Sequence, residues 1–195
     1  MLNDPANDKK FSDLMSQVNA TEESRAAFMA DPLPKLKAAG IPLLPTVSIP
    51  VEAQTTMGAL NVPVGIDAVA AVAARAAPGE VITASTHWWG VDIKMNEKMT
   101  QDIITGVTAA GPVGGAIAAA LGAAGAVTGG IATAIGAGIA AVVALKVAQI
   151  KITDNGSGVH WPISWPQWAA LLASVPTGPA GIAAAGVIFL HPLRN

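Results

Sequence analysis

The stretch that decides the fold reads IITGVTAAGPVGGAIAAALGAAGAVTGGIATAIGAGIAAVVAL, residues 103–145, and contains no Asp, Glu, Lys or Arg. A helix of this length would extend for about 64 Å, which is roughly two bilayer crossings. Thr128-Gly129-Gly130 supply a turn near its middle. The stretch therefore predicts an apolar helical hairpin with arms at 113–127 and 131–151.

Small residues recur four positions apart within this stretch, once in every heptad. Glycine and alanine at that spacing allow helix backbones to approach closely. The pattern predicts a glycine-zipper seam made of Gly111, Gly115, Ala118, Gly122, Gly125, Gly129, Ala132 and Gly136.

The hairpin is only moderately apolar, because 13 of its 43 positions are Ile, Leu or Val. Each contributes roughly −0.3 to −0.6 kcal/mol at the centre of a membrane helix, about −4 to −8 kcal/mol in total over two crossings. A hairpin of this kind is a weak permanent anchor. We expect conditional insertion, and the alternative is an Ala/Gly hairpin buried in a soluble domain.

Composition narrows the class of protein. Of 195 residues, 52% are hydrophobic and 12% are charged, and the latter is about half the usual share for a soluble domain. The net charge of −2 gives no basic field for nucleic acid, so no such partner is expected. Cysteine is absent, which excludes disulfides, thiol catalysis and thiolate metal sites.

Charge is concentrated in the front half of the chain, since residues 103–195 hold only Lys146, Lys151, Asp154 and Arg194. The first ten residues contain no apolar core of a Sec signal peptide. We predict a small helical module at 1–54, a linker with a short helix at 55–80, and the hairpin domain at 81–195. The proline-rich segment 42–63, which spans the border between the first two units, is predicted to be a linker or an edge strand at 47–51, and 66–77 is predicted to form the short helix.

The first module divides into short helices. Ser12 is a candidate cap for a first turn, and Thr21 for a helix at 22–30 that ends before Pro32. A further turn at 35–39 is closed by Gly40.

One motif in this module carries a family resemblance. Phe28-Met29-Ala30-Asp31-Pro32, Leu36, Gly40-Ile41 and Val47-Ser48-Ile49-Pro50-Val51 together resemble the nitrile-hydratase-like leader peptides that precede exported bacteriocin-type peptides. The resemblance implies an export or processing machinery that recognises residues 11–54, a cytoplasmic form before export, and secretion by a non-Sec route or association with a membrane. No suitably placed double-glycine processing site follows, and the metal-binding cysteines of the hydratase are absent.

Two strands are predicted to bracket the hairpin at its base. Alternation marks 81–95 as one strand and 158–163 as another, and we expect them to pair antiparallel. The predicted fold is therefore mainly α (α+β). This order, a Trp-Trp-Gly strand, a Gly/Ala-rich helical pair and a Gly-Val strand, is similar to small secreted bacterial proteins of bacteriocin type.

The five tryptophans are candidate membrane-interface residues: Trp88, Trp89, Trp161, Trp165 and Trp168. The alternative is that Trp161, Trp165 and Trp168 fill a core against the other two. Helices are also predicted at 96–109, capped by Asn96, at 167–174 and at 181–190.

Candidate chemical groups are few. Pairing of the two strands would bring His87 and His160 together, yet two imidazoles are too few for a metal site. No nucleophile elbow, phosphate loop or paired-carboxylate motif is present. We predict no enzyme, no cofactor and no metal.

Three functions remain in competition. The leading one is a membrane-active, bacteriocin-like or pore-forming toxin that is soluble until its hairpin inserts in lipid or oligomerises. The second is a self-assembling filament, ring or shell protein, and the third is a soluble module that binds an apolar ligand under the tryptophans. A homo-oligomer is expected in either of the first two.

Overall fold

The computed structural model describes residues 6–41, 43, 79–108, 110–127 and 129–195. This part of the chain is mainly helical with one small antiparallel sheet, which confirms the predicted mainly α (α+β) class. The predicted edge strand at 47–51, the helix at 66–77 and nearly all of the predicted proline-rich linker lie outside the described residues. The helices are α1 (Ala6–Asn19), α2 (Glu22–Ala30), α3 (Leu33–Ala38), α4 (Glu97–Ile104), α5 (Ala110–Ala123), α6 (Gly129–Leu145), α7 (Val147–Thr153), α8 (Trp165–Ala173) and α9 (Gly178–Phe189). The strands are β1 (Ile82–His87), β2 (Gly90–Met95), β3 (Val159–Ser164) and β4 (Leu193–Arg194).

The N-terminal helices follow their predicted signals except at the start of α1. The Thr21 hydroxyl accepts a hydrogen bond from the Ser24 backbone N–H at 3.0 Å, so the predicted cap of α2 is confirmed. Gly40 has φ +66° just after α3, as its predicted role at the helix end requires. Ser12 lies inside α1 and does not cap it, because the helix already begins at Ala6.

The sheet has the order β1-β2-β3-β4 with antiparallel neighbours. The predicted pairing of the strand before the hairpin with the strand after it is confirmed, with Ile93 opposite Trp161. The prediction of one strand over 81–95 is wrong, since the chain turns back at Trp88-Trp89. Alternation continues through both strands, and this concealed the turn.

The two faces of the sheet differ in polarity. Fully buried side chains on the inner face are Val91, Ile93, Met95, Val159, Trp161 and Ile163. The opposite face carries polar groups at alternate positions, among them Ser85, Asp92 and His160. The sheet therefore covers the helical core with one face only.

The predicted hairpin is present as α5 and α6, which pack along each other. Asn96 caps α4 by accepting from the Met99 N–H at 3.0 Å, as predicted, but α4 ends at Ile104 and not near Ala109. The second arm was predicted to run to Lys151, and this is wrong. The helix stops at Leu145, and α7 continues at an angle of 73° to α6.

The C-terminal helices complete the core around α6. Helix α8 begins at Trp165, where the Ser164 N–H donates to the Gln167 side chain at 2.8 Å. Helix α9 lies against α6 and α8. Buried side chains of α1, α2 and α3 belong to the same apolar cluster as those of the sheet and hairpin. The division into units at 1–54, 55–80 and 81–195 stays a prediction.

Candidate functional site

Helix α6 is the centre of the candidate site, because it is apolar and covered on every side. Twelve of its seventeen residues are buried, between Ile131 and Val143. A helix that is hydrophobic all round belongs in the middle of a protein or in a membrane. Here α5 covers one side of α6 and α9 another.

Backbone meets backbone where α6 crosses α5. A Cβ atom added at Gly136 would lie against the Gly114 carbonyl oxygen, 2.9 Å from the Ala118 nitrogen and 3.0 Å from its Cβ. A Cβ at Gly114 would lie 3.2 Å from the Ala137 Cα. A side chain at Gly136 would overlap the α5 backbone, and one at Gly114 would require α6 to move away slightly.

Where α6 contacts α9, glycines on each helix leave room for side chains of the other helix. A Cβ at Gly138 would collide with the Ile182 side chain and lie 3.2 Å from the Pro179 carbonyl oxygen. A Cβ at Gly186 of α9 would lie 3.1 Å from a Val142 methyl. Together the α5 and α9 contacts form what we call the helix seam, built on Gly114, Ala118, Gly136, Gly138, Ile182 and Gly186.

The eight predicted seam residues occupy different surroundings. Ala118 and Gly136 meet in the helix seam, and Gly115 and Ala132 are buried. Gly125 lies in the segment between the arms and Gly129 is the first residue of α6; both are exposed, with φ +69° and +59°. Gly122 has open space, its nearest neighbour being the Val127 oxygen at 3.9 Å. The surroundings of Gly111 lie outside the described side chains.

Three of the five tryptophans are fully enclosed. Trp161, Trp165 and Trp168 are at most 1% exposed, which is the position expected for core residues. The Trp165 indole N–H donates to the Trp88 carbonyl at 3.0 Å. In the described part of the chain, the buried indole N–H groups of Trp161 and Trp168 have no hydrogen-bond partner. Leaving such a donor unpaired costs about 1–3 kcal/mol.

A phenylalanine from the N-terminal module covers two of these rings. The Phe11 ring of α1 stacks on Trp165 with centroids 4.6 Å apart, and meets Trp168 edge-on at 6.4 Å. Aromatic pairs at these separations stabilise by about 0.5–1.5 kcal/mol beyond burial of area. The N-terminal helices thus contact the tryptophans directly.

The other two tryptophans form the turn between β1 and β2. Trp88 is 50% exposed, whereas Trp89 is half-buried and stacks on His87 with centroids 5.0 Å apart. We call Trp88, Trp89, Trp165 and Trp168, together with Phe11, the tryptophan end. The assignment of the five tryptophans to a membrane interface stays a prediction.

The polar face of the sheet carries two separate histidine pairs. His160 Nδ1 lies 2.9 Å from a carboxylate oxygen of the buried Asp92, and Lys94 lies 3.8 Å from the other oxygen. The Ser85 hydroxyl lies 2.9 Å from His87 Nε2. His160 stands opposite Lys94, whereas His87 stands opposite Gly90, which is four residues earlier in β2. The pairing that was predicted therefore keeps the two histidines apart.

Neither pair extends to a recognisable catalytic set. Asp92 can orient the His160 ring, as the carboxylate of a catalytic triad orients its histidine. Ser85, however, forms its hydrogen bond with His87 and not with His160. Within the described ranges, no three His, Asp or Glu side chains converge in a way that could hold a metal ion.

A shallow groove between α1 and α3 has a volume of about 380 Å³. Apolar side chains form part of its wall and charged groups line the rest: Lys10, Asp13, Leu14, Gln17, Val18, Lys35, Ala38 and Ala39. Nothing in its lining converges on a ligand of definite chemistry.

Charged groups whose pKa values are shifted flank the hairpin in sequence, one after α6 and a pair on α4. At the α6–α7 junction, partial burial lowers the pKa of the Lys146 ammonium, which hydrogen-bonds His191 Nδ1 at 3.1 Å. On α4, the Lys98 hydrogen bond at 2.7 Å lowers the pKa of Asp102 and raises that of Lys98. Both members of the latter pair lie outside the core.

None of the described helices is by itself both long and apolar enough to cross a bilayer. Two bent pairs of helices are long and apolar enough when each pair is taken together: α6 with α7, and α8 with 175–189.

Sequence reasoning missed the contact between α6 and α9 and the role of Phe11. Gly138 and Gly186 fall outside the heptad pattern, and only their place in small-residue runs marks them. Nothing in the sequence marked Phe11 beyond its being aromatic.

Comparisons with protein families, characterised proteins and solved structures gave no match. The resemblance to leader peptides stays a prediction, which depends only on the sequence motifs quoted for it.

Proposed function

We propose that this protein is a membrane-active, bacteriocin-like or pore-forming protein that holds the α5–α6 hairpin inside a closed fold and delivers it to lipid when the fold opens. The observation that carries the proposal is the burial of α6 on all sides by other parts of the same chain. Such a helix loses little apolar contact on moving from a protein core to a bilayer. The proposal includes oligomerisation of the released hairpins through their small-residue faces.

The energetics support conditional insertion. The Ile, Leu and Val residues of the hairpin favour the membrane by about −4 to −8 kcal/mol before the opposing terms of its glycines and Pro112, and even this sum is no larger than the whole stability of an ordinary domain, roughly 5–15 kcal/mol. A modest loss of closed-state stability would therefore shift the balance between closed and inserted forms. Resemblance of the N-terminal module to leader peptides adds a reason to expect export by a non-Sec route from the cytoplasm.

Self-assembly of the closed fold is less well supported. Its expected contact surface, the small-residue face of the hairpin, is already occupied within the chain at Gly136 and Gly138. An apolar ligand under the tryptophans is also less well supported, since the rings of Trp161, Trp165 and Trp168 themselves fill that space.

The absence of cysteine makes a direct test possible. An environment-sensitive dye is attached through Ala119→Cys on the exposed side of α5, with Asn155→Cys on an exposed turn as the matched control. Each is measured with vesicles in the wild-type background and with Gly138→Ala, which loosens the α6–α9 contact. We expect a blue shift and release of vesicle contents with the loosened Ala119 label, and no shift with the Asn155 label.

Two other outcomes would contradict the proposal. One is an unchanged Ala119 signal in protein that circular dichroism shows to be folded, in both backgrounds. The other is lipid-independent growth of large oligomers, which would favour the assembly protein.

A further inference from the structure

The turn between β1 and β2 contains residues that turn geometry does not require. Tight two-residue hairpin turns favour Asn, Asp or Gly. This one consists of Trp88 and Trp89, with Trp88 50% exposed. An indole at a protruding tip has one apolar body and one polar N–H, which suits the headgroup region of a bilayer.

This tip is continuous with the covered tryptophans. The Trp165 backbone N–H donates to the Trp89 carbonyl at 3.1 Å, and its indole N–H donates to the Trp88 carbonyl at 3.0 Å. The other face of Trp165 lies under Phe11, which also covers Trp168. Displacement of α1 would thus extend the exposed aromatic surface from the tip to α8.

Two features indicate what that surface would contact. Residues 155–193 contain no Asp, Glu, Lys or Arg, so the α8 side offers no side-chain charge to a charged partner. The buried Trp168 indole N–H lacks a partner in the described residues, and an ester carbonyl at a lipid interface would accept from it. Both features fit an uncharged lipid surface.

We propose that the tryptophan end is the site where this protein first docks on a neutral lipid interface, with Trp88 in contact first and Trp165 and Trp168 after Phe11 has withdrawn. Helix α1 occupies that surface in the closed form. The inference rests on the proposed function, because it names the lipid-contact site of the same membrane-active protein. It adds an order of events, in which docking at the tip precedes release of the hairpin.

Docking is tested on the full chain by flotation with phosphatidylcholine vesicles. Trp88→Ser is compared with Ile152→Ser, which removes a side chain that is 80% exposed on α7. We expect Trp88→Ser to reduce vesicle binding about tenfold and Ile152→Ser to change it less than about twofold. Equal effects of the two substitutions would overturn the inference.

The role of Phe11 is tested by quenching of tryptophan fluorescence with brominated lipid. Phe11→Ala should increase quenching several-fold, whereas Phe189→Ala on α9 should not. Phe11→Leu serves as a milder variant if Phe11→Ala fails to fold, and it should give an intermediate increase. Quenching that is the same in wild type, Phe11→Leu and Phe189→Ala would overturn the covering role.

Failure of this inference is distinguishable from failure of the proposed function. If the Ala119 label responds to lipid while Trp88→Ser binds normally, the docking site is wrong and the hairpin proposal stands. If Trp88→Ser abolishes flotation while the Ala119 label never responds, docking is supported and hairpin insertion is contradicted. If Trp88→Ser alters self-association and leaves flotation unchanged, the surface contacts protein and the inference is overturned.

Discussion

The helix seam and the tryptophan end fill space by opposite means. In the seam, Gly136 brings the α6 backbone against the α5 backbone, and almost no side chain separates them. At the tryptophan end, the rings of Phe11, Trp165 and Trp168 bridge a wider gap between α1 and α8. Backbone contacts have no flexible part that can adjust, whereas rings can rotate or withdraw.

This difference suggests which contact opens first. Close backbone contacts hold α5 and α6 in a single arrangement, and side chains packed against Gly138 and Gly186 hold α9 against α6, since any shift creates overlap or a gap. At the tryptophan end, the Trp168 indole N–H has no hydrogen-bond partner among the described residues, and this lowers the stabilisation that burial of its ring provides. We therefore expect the molecule to open at the tryptophan end while the hairpin remains intact.

The largest expected effect is that of Gly136→Leu. Its side chain would overlap the Gly114 carbonyl and the Ala118 backbone, neither of which can move without shifting α5. We expect a loss of at least about 4 kcal/mol in the free energy of unfolding, measured by urea denaturation.

Gly122→Leu is the matched control, because a Cβ there is 3.9 Å from its nearest neighbour. It should stabilise the helix by up to about 1 kcal/mol. Similar losses at both positions would mean that the heptad pattern, and not the helix seam, describes the contact.

The next effect distinguishes backbone from side-chain contact within the seam. Gly138→Ala meets the Ile182 side chain first, so we expect a loss of about 1–3 kcal/mol. Shortening Ile182 to Ala should recover part of this loss in the double variant, with a coupling energy of about 1–2 kcal/mol in a denaturation cycle. Strictly additive losses would contradict the proposed α6–α9 contact.

A smaller effect compares two buried indoles at the tryptophan end. Trp165→Phe removes the hydrogen bond to the Trp88 carbonyl, whereas Trp168→Phe removes a donor that has no partner in the described residues. Both lose similar volume, so we expect Trp165→Phe to be the less stable variant by about 1 kcal/mol. Thermal unfolding of the two proteins measures this difference directly. A less stable Trp168→Phe would show that its indole N–H is paired.

The sequence predicts those features of the structure that are determined by residues close together in the chain. Caps at Thr21 and Asn96, the closing glycine at Gly40 and the pairing of β2 with β3 were all predicted, because each follows from neighbouring residues or from alternation. The hairpin itself was predictable from its lack of charge.

The register of the seam could not be predicted in the same way. Glycine and alanine are so frequent in 103–145 that several registers are equally regular, and packing against α9 selects among them. The bend after Leu145 has no Pro or Gly to mark it, and the turn at Trp88-Trp89 lacks the usual turn residues. These features depend on tertiary contacts, and so do the positions of Phe11 and the buried tryptophans.

The smallest expected change in stability is that of Lys146→Gln, at the junction between α6 and α7. Partial burial lowers the pKa of Lys146 below its ordinary value of 10.5, so the folded chain releases this proton more readily than the unfolded chain. The penalty for burying the charge is fully present at neutral pH. It disappears as the pH rises through the lowered pKa, and stability from this group therefore rises with pH in that window.

Replacing Lys146 removes both the penalty and the hydrogen bond to His191, so the net change at pH 7 should be within about 0.5 kcal/mol. The stability of wild type relative to Lys146→Gln should then increase between pH 7 and pH 10 in urea denaturation. Lys151→Gln, at an exposed position of α7, is the control and should show no such trend. Vesicle insertion of Lys146→Gln should match wild type, since the residue lies beyond the buried part of α6 and a lysine there can keep its ammonium at an aqueous surface. A wild type that loses stability relative to Lys146→Gln as the pH rises would show that the ammonium is stabilised by its neighbours, and that the seam ends in a favourable charge contact.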